Sequence, residues 1–275
     1  SGLRRTAGIG AVGEVVVSSS PDFSVGEQVM VHGFQTGIAF DGGFSEMLGV
    51  PQAHLQAVPQ GLGPYEAAVL GVPAFTVAMA LEHFETLGLE PARGAVAVSG
   101  AGGAVGLLAI ALLSRAGYRV AAITRRMERA DELRALGASE VIDAQVLAAP
   151  QRPLEKAPFA AAIDNVGGPM LSWLLRSMQD GGLVASVGNA SGNEYAGSVL
   201  PFIMRRVQMF GVVANAPWPQ RKRLWARLAD GMKPDFETLA PHVRRIGLAQ
   251  LMDHARRQLD GATAGRTLLA FGEQA

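Results

Sequence analysis

A stretch of 21 uncharged residues at 94–114, "GAVAVSGAGGAVGLLAIALLS", constrains the possible folds of this chain most strongly. Its length would suffice for a transmembrane helix, since about 20 apolar residues span a bilayer. Four glycines fall within residues 100–106, however, and each costs a helix interior about 1 kcal/mol relative to alanine. The stretch therefore favours a short buried strand over residues 95–99, a glycine turn, and a helix from Ala104 through Leu113.

The residues that follow extend this strand, turn and helix into a dinucleotide-binding pattern. The segment "YRVAAIT" at 118–124 suits a second buried strand. In such a unit the glycines let the main chain approach a pyrophosphate, and the first N–H groups of the helix point at the anion. The G-x-G-x-x-G register reads Ala101, Gly103, Gly106, with alanine in the first glycine position, so the spacing alone is a weak indication of dinucleotide binding. The position of the turn between a strand and a helix is the stronger indication. The alternative is a small-residue contact motif in a membrane helix, but such a motif would not be flanked by the two strands that are expected here.

The end of the second strand, "ITRRMER", indicates which dinucleotide is bound. NAD-binding units usually place an acidic residue there for the ribose hydroxyls, whereas a 2′-phosphate requires hydroxyl and guanidinium groups. Thr124, Arg125 and Arg126 occupy that place, which predicts NADPH as the cofactor. Alternatively, the two arginines only solvate the start of the helix expected over residues 127–136.

Three further strands are expected downstream. The third lies around residues 140–142, the fourth in "FAAAIDNVGG" ends at Asp164 and Asn165, and the fifth in "GGLVASVGNASG" leads into a polar loop. In a doubly wound sheet these carboxyl ends face the ligand crevice. Asn189 and, less strongly, Asn165 are therefore candidate cofactor contacts. Each could equally be a turn residue that is favoured for its local hydrogen bonds.

The two ends of the chain differ from the middle in their sequence pattern. Before residue 68, short β-rich runs are broken by Ser, Pro, Asp and Gly, and the final "AGRTLLAFGEQA" again suits a strand. Amphipathic helices are expected over residues 221–230 and 248–259. We therefore expect a β domain built from residues 1–67 and 211–275 around a nucleotide-binding domain of residues 68–210.

Composition excludes several classes of function. The 24 basic and 24 acidic residues cancel, so no net field attracts nucleic acid or an anionic membrane. Cysteine is absent, and the five histidines lack metal-binding spacing, so a zinc site is not expected. No G-x-S-x-G elbow is present to support a serine hydrolase. The opening "SGLRRTAGIG" lacks the apolar core of a signal peptide, so a cytoplasmic protein is expected.

Several longer segments together resemble a known family, the zinc-independent medium-chain dehydrogenases/reductases. They include "VGEQVMVHG", "AVPQGLGPYEAAVLGVPAFTVAMAL", "VSGAGGAVG", "LRALGASEVID", "LPFIMRRVQMFGV" and "AGRTLLAF", and the resemblance is to the acrylyl-CoA reductase and quinone oxidoreductase branch. It implies an α/β fold, with a doubly wound parallel Rossmann sheet and a GroES-like β domain. It also implies hydride transfer from NADPH to an activated double bond or a quinone, and a homodimer.

The resemblance also implies roles for individual residues. Gly102, Gly103, Ala104 and Val105 would contact the pyrophosphate, Thr124, Arg125 and Arg126 the 2′-phosphate, and Asn189 the nicotinamide side. Family members carry a longer amino-terminal segment, with an Asn-Tyr pair that reaches cofactor and substrate. On that comparison the GroES-like domain is expected to be incomplete and turnover to be poor. The alternative function is therefore a catalytically impaired NADPH-binding sensor or partner subunit.

Overall fold

The computed structural model describes residues 5–148 and 152–272, which form eleven strands and eight α-helices. The strands are β1 (Gly10–Glu14), β2 (Gln28–His32), β3 (Gln56–Ala57), β4 (Ala95–Val98), β5 (Val120–Thr124), β6 (Glu140–Asp143), β7 (Phe159–Asp164), β8 (Met178–Ser186), β9 (Gln208–Gly211), β10 (Val243–Ile246) and β11 (Arg266–Leu269). The helices are α1 (Pro64–Thr86), α2 (Ala104–Arg115), α3 (Ala130–Ala135), α4 (Gly168–Arg176), α5 (Leu200–Arg205), α6 (Trp218–Ala229), α7 (Phe236–Leu239) and α8 (Leu251–Leu259).

The chain divides into two compact units. The first runs up to Phe75 and includes Ala214–Asp230 and the residues from Ala240 onward, and the second comprises Thr76–Val213 and Gly231–Leu239. Residues 1–4 of the opening segment "SGLRRTAGIG", which bears on the signal-peptide expectation, lie outside the described residues. So do residues 273–275 of the final stretch.

The second unit contains a six-stranded parallel sheet in the order β6-β5-β4-β7-β8-β9. Numbered along the chain, this order is 3-2-1-4-5-6, which is the doubly wound Rossmann topology that the sequence predicts. Every residue of β5 and β7 is buried, as expected for strands that are covered on both faces. The strand order reverses between β4 and β7, and ligands bind at such a switch point.

Most expected elements are confirmed, with shifted ends. The second strand begins at Val120 rather than Tyr118, because the Tyr118 N–H donates to the Leu113 carbonyl in α2 at 2.9 Å instead of joining the strand ladder. The helix expected over residues 127–136 is shorter. It opens as a 3₁₀ turn, Met127–Arg129, and continues as α3 only to Ala135. The helix expected at 248–259 likewise begins as a 3₁₀ turn before α8.

The membrane-helix alternative for residues 94–114 is wrong, since the stretch forms β4, the turn and α2. Within the described residues one helix, α1, is long and apolar enough to cross a membrane by length and composition. Of its most apolar window, 67% is buried inside the fold, as in a core helix. Its regular path is also broken at Gly71, which has non-helical backbone angles, two residues before Pro73.

The first unit contains two small sheets. Strands β1, β2 and β3 form an antiparallel sheet, while β10 and β11 pair in parallel. Residues of β1 and β11 line a common cavity of about 800 Å³. Both ends of the chain thus contribute β structure to one unit, as the sequence predicts.

An aromatic and cationic cluster lies in the core of the first unit. Arg221 is 1% exposed, and its guanidinium carbon lies 4.5 Å from the centre of the Phe34 ring. Its Nη1 donates a hydrogen bond to the His32 carbonyl at 3.1 Å. Trp225 donates from Nε1 to His32 Nε2 at 2.8 Å. Because Nε2 accepts this bond, His32 is held as the neutral imidazole.

Candidate functional site

The glycine turn between β4 and α2 leaves the start of a twelve-residue helix uncapped. Gly103 is the N-cap residue of α2, and no side chain makes a capping hydrogen bond there. The turn is closed by the Gly103 N–H, which donates to the Gly100 carbonyl at 2.9 Å. The first backbone N–H groups of a helix have no partner within the helix and lie at the positive end of its dipole. This helix start can therefore bind an anion such as a pyrophosphate.

The glycines of the turn differ in what a side chain would meet. A Cβ on Gly106 would lie 2.4 Å from the Gly100 carbonyl oxygen, so Gly106 lets the helix pack against the turn. Gly100 itself has a φ of +60°, in the left-handed region. By contrast, Gly102 and Gly103 are not buried. The predicted contact residues Gly102, Gly103, Ala104 and Val105 thus form a surface that a ligand can approach.

The end of β5 lies next to this turn because β4 and β5 are parallel neighbours. Thr124 is 6% exposed, and its Oγ1 accepts a hydrogen bond from the Arg126 N–H at 3.0 Å. Arg125 is exposed and Arg126 is half-buried. The structure therefore places the predicted 2′-phosphate residues at the carboxyl end of the parallel strands, where the glycine turn also lies.

Arg129 also belongs to this region, although the sequence reading did not select it. Its Nη1 would lie 3.8 Å from a Cβ on Gly102. In the sequence the two residues are far apart, and only the adjacency of β4 and β5 brings them together. The sequence signal that could have identified Arg129 is that it is the third arginine within the five residues after Thr124.

The turn after β7 forms a polar network with the end of β4. Asp164 is fully buried, and its carboxylate accepts bonds from Ser99 Oγ at 2.6 Å and from the Gly167 N–H at 2.9 Å. Burial raises the pKa of Asp164, while these hydrogen bonds oppose the rise. Asn165 donates from Nδ2 to the Ser99 carbonyl at 2.8 Å. Asn165 thus makes the local hydrogen bonds of its turn, and its Oδ1 is buried without a partner among the described atoms.

The loop after β8 is fastened to the turn after β7. The Ser191 N–H donates to the Val166 carbonyl at 2.8 Å, and a Cβ on Gly167 would lie 3.3 Å from the Asn189 Cα. Asn189 is exposed, and its Nδ2 donates to Asn193 Oδ1. A Cβ on Gly100 would in turn meet Asn165 at 3.5 Å. The predicted residues after β4, β5, β7 and β8 therefore share one edge of the sheet, around its switch point.

The described residues do not fit a zinc ion. Among them, no group of three or more His, Asp or Glu side chains converges where a metal could bind. His32 is buried beside Arg221, and burial first, then the charge of Arg221, lowers its pKa to about 3. Since His32 already accepts a hydrogen bond from Trp225, it belongs to the core of its unit.

Comparisons with known proteins agree with this geometry. Residues 104–230 match the family model described as zinc-binding dehydrogenase. The chain is 38% identical over 264 residues to the putative quinone oxidoreductase YhfP of Bacillus subtilis, covering 95% of this chain and 80% of the relative. It is 36% identical over 264 residues to the acrylyl-CoA reductase AcuI of Ruegeria pomeroyi, covering 95% and 79%.

Solved structures extend the similarity to the fold and to a bound cofactor. The yhdH oxidoreductase from Salmonella enterica in complex with NADP has a TM-score of 0.91 at 35% identity, over 98% of this chain and 82% of that one. The B. subtilis protein yhfP with NAD bound has a TM-score of 0.89 at 36% identity, over 96% and 81%. These relatives bind nicotinamide dinucleotides, one in the phosphorylated form and one without the phosphate.

Proposed function

This chain belongs to the medium-chain dehydrogenase/reductase family, in its quinone oxidoreductase and acrylyl-CoA reductase branch, and from that premise we propose that it is an NADPH-dependent reductase. Its fold is the expected Rossmann sheet with a GroES-like β domain. The acceptor is an activated double bond, as in an enoyl thioester such as acryloyl-CoA or an enone, or else a quinone. The observation that carries the proposal is that the uncapped start of α2 lies beside the end of β5, where arginines occupy the place of an acidic residue.

The residues at this sheet edge fit a nicotinamide dinucleotide. Gly102, Gly103, Ala104 and Val105 would hold the pyrophosphate through backbone N–H groups, because no side chain competes for the helix start. The loop of Asn189 would hold the nicotinamide side. When bound, the reduced cofactor supplies the hydride. The protein contributes binding and orientation, and hydrogen-bond donors would stabilise the charge that develops on the acceptor.

Preference for NADPH over NADH rests on the end of β5. A ribose 2′-hydroxyl would find no carboxylate in the segment Thr124, Arg125, Arg126, whereas a 2′-phosphate would find a hydroxyl and two guanidinium groups. One cofactor-bound relative holds NADP and the other holds NAD, so the cofactor preference of this chain has to be argued from its own residues. We expect at least about a tenfold preference for NADPH.

Assembly and organisation complete the proposal. We propose a GroES-like domain of residues 1–67 and 211–275, an NADPH-binding domain of residues 68–210, a cytoplasmic location, a small-molecule substrate, and no nucleic-acid or membrane partner. We also propose a homodimer. Two observations support it: β9 is an edge strand of the six-stranded sheet, and the neighbouring α5 exposes Ile203 and Met204 by 66% and 63%. Unpaired strand edges and exposed apolar side chains favour association.

Steady-state oxidation of NADPH by the purified chain tests the function. Acryloyl-CoA, 1,4-benzoquinone and a simple enone serve as acceptors, NADH is the matched cofactor control, and titration measures binding separately. We expect turnover with at least one acceptor and faster turnover with NADPH than with NADH. Tight NADPH binding without turnover of any acceptor would contradict the reductase and favour the sensor or partner subunit.

A double variant tests the cofactor preference directly. Replacing Arg125 and Arg126 by alanine should remove most of the preference for NADPH while leaving NADH binding nearly unchanged. The readout is the ratio of the two dissociation constants. Equal affinity of the native chain for both cofactors would contradict the proposed preference.

A further inference from the structure

Arg129 lies beside the glycine turn on the side where the strand β5 ends. It closes the 3₁₀ turn Met127–Arg129, and its Nη1 would stand 3.8 Å from a Cβ on Gly102. That distance is ordinary van der Waals contact for a Cβ, so a small gap separates the guanidinium from the Gly102 backbone. A side chain longer than alanine at position 102 would take up the space between them. Gly102 therefore leaves room for Arg129 at the face of the turn.

A carboxylate fixes the orientation of Arg129. Glu132 Oε2 lies 2.7 Å from Arg129 Nε and 2.6 Å from Nη2. Two nitrogens on one side of the guanidinium thus face Glu132, while Nη1 lies next to the turn. The Arg129 side chain is 20% exposed and that of Glu132 is 46% exposed. Arg129 is thus more enclosed than Arg125, which is exposed at the strand end.

We propose that Arg129 is a further binding residue for the 2′-phosphate of NADPH and that Glu132 is its positioning residue. The inference rests on the proposed function. Planar guanidinium groups bind phosphate through paired, directional hydrogen bonds, and a group held by an ion pair is already oriented for them. Arg129 borders both the turn after β4 and the strand end that lacks a ribose-binding acid. The 2′-phosphate would lie among Arg126, Arg129 and the Thr124 hydroxyl.

The test separates the 2′-phosphate from the rest of the cofactor. Adenosine 2′,5′-bisphosphate and 5′-AMP differ only by that phosphate, and their dissociation constants are measured by calorimetry beside those of NADPH and NADH. Arg129→Gln should weaken adenosine 2′,5′-bisphosphate and NADPH by about tenfold, and 5′-AMP and NADH by less than about twofold. Arg129→Lys, which keeps the charge but not the planar fork, should lie between native and Arg129→Gln.

Matched variants on α3 provide the control. Arg134 forms a similar ion pair with Asp131, Nη1 to Oδ1 at 2.7 Å, and Arg134→Gln should leave all four ligands unchanged. Glu132→Gln should weaken NADPH and adenosine 2′,5′-bisphosphate by a smaller factor than Arg129→Gln. A gain in affinity instead would mean that Glu132 competes with the phosphate for Arg129, and would overturn its positioning role.

Two outcomes overturn the inference. If Arg129→Gln weakens NADPH and NADH equally, Arg129 serves the pyrophosphate or the fold and not the 2′-phosphate. If the variant keeps the native affinity for both cofactors, Arg129 does not contact the phosphate at all. Both leave the proposed reductase intact. A native chain that binds adenosine 2′,5′-bisphosphate no better than 5′-AMP would instead overturn the proposed NADPH preference together with this inference.

Discussion

Asn165 and Ser99 are joined by two hydrogen bonds across the ends of neighbouring strands. The Asn165 N–H donates to Ser99 Oγ at 2.8 Å, and its Nδ2 donates to the Ser99 carbonyl at 2.8 Å. Ser99 Oγ in turn donates to the buried carboxylate of Asp164. One hydroxyl therefore links the end of β4, where the glycine turn begins, to the turn that follows β7.

Ser99→Ala should lower the free energy of unfolding by about 1–3 kcal/mol. The substitution removes the Ser99 hydroxyl from the buried Asp164 carboxylate, which keeps the Val166 and Gly167 N–H donors, and it takes away the acceptor of the Asn165 N–H. Loss of a partner by a buried polar group costs about that much. Urea denaturation at neutral pH measures the loss. Ser172→Ala is the control, because Ser172 Oγ only bonds back to the Gly168 carbonyl within α4. Equal effects of the two substitutions would contradict the role of the network.

Gly106→Ala should destabilise the fold. The added methyl would lie 2.4 Å from the Gly100 carbonyl oxygen and 2.7 Å from the Ala101 Cα, so backbone atoms would have to move. Overpacking of this kind costs about 1–3 kcal/mol. Gly102→Ala is the matched control, since its nearest neighbour is a side-chain atom at 3.8 Å. Thermal unfolding of the two variants gives the comparison. A Gly106→Ala variant with the native unfolding temperature would show that the turn can relax.

Gly103→Val should weaken NADPH and NADH alike, by at least about tenfold, and leave the fold largely intact. The φ of Gly103 is −86°, which other residues adopt readily. Its Cβ position is tight, at 3.3 Å from the Gly100 carbonyl oxygen, so that carbonyl has to shift slightly. The valine side chain would fill the space that the pyrophosphate needs. Fluorescence titration with both cofactors measures the effect, after circular dichroism has established folding. Unchanged affinity in the folded variant would move the phosphate site elsewhere.

The sequence could predict the parallel sheet and its ligand edge because these depend on local signals. Strands β4, β5 and β7 consist mainly of apolar residues, with a polar residue only at the end of β5 and of β7, and glycines mark the turn after β4. Helix α1 has no amphipathic signal in the sequence, because its apolar residues surround the whole helix and Gly71 and Pro73 interrupt it. The four-residue strand β9 was not predicted, because it has no buried residue and is too short to show a period.

Candidate site residues can be selected from the sequence where one segment supplies all of them, but not where strand pairing brings distant residues together. Thr124, Arg125 and Arg126 are contiguous, so the missing acid is visible in the sequence. The approach of Arg129 to Gly102 depends on the parallel register of β4 and β5, in which Val98 pairs with Ala122. No spacing rule along the chain encodes that register, which is set by the packing of the whole sheet.

Stability should fall as the pH drops below about 6.5 through the protonation of His32. Its folded pKa of about 3 lies below the ordinary value of 6.5, because burial and the charge of Arg221 disfavour the imidazolium. A depressed histidine pKa contributes stability that is complete above pH 6.5 and is lost progressively between 6.5 and about 3. The loss is about 1 kcal/mol between pH 6.5 and 5.5 and approaches about 1.4 kcal/mol per pH unit below that.

The measurement compares urea denaturation at pH 6.5 and 5.5 in the native chain and in His32→Gln. Glutamine can still accept the Trp225 N–H but does not titrate, so the variant should lose this part of the pH dependence even if it is less stable throughout. Identical pH dependence in the two proteins would rule out His32 as the cause.

Ile203→Asp should shift the proposed homodimer towards monomer. Ile203 lies on α5, is 66% exposed, and neighbours the similarly exposed Met204, close in sequence to the edge strand β9. An aspartate buried in a symmetric interface would be desolvated beside its own symmetry-related copy, and unpaired buried charges are strongly unfavourable. Leu87→Asp is the matched control: Leu87 is 37% exposed in the same unit, just after α1, and that substitution should not change the assembly. Analytical ultracentrifugation over a range of concentrations, with NADPH titration to verify that both variants retain the cofactor site, separates the outcomes. A monomeric native chain would contradict the homodimer itself, whereas a dimer that tolerates Ile203→Asp would place its interface away from α5.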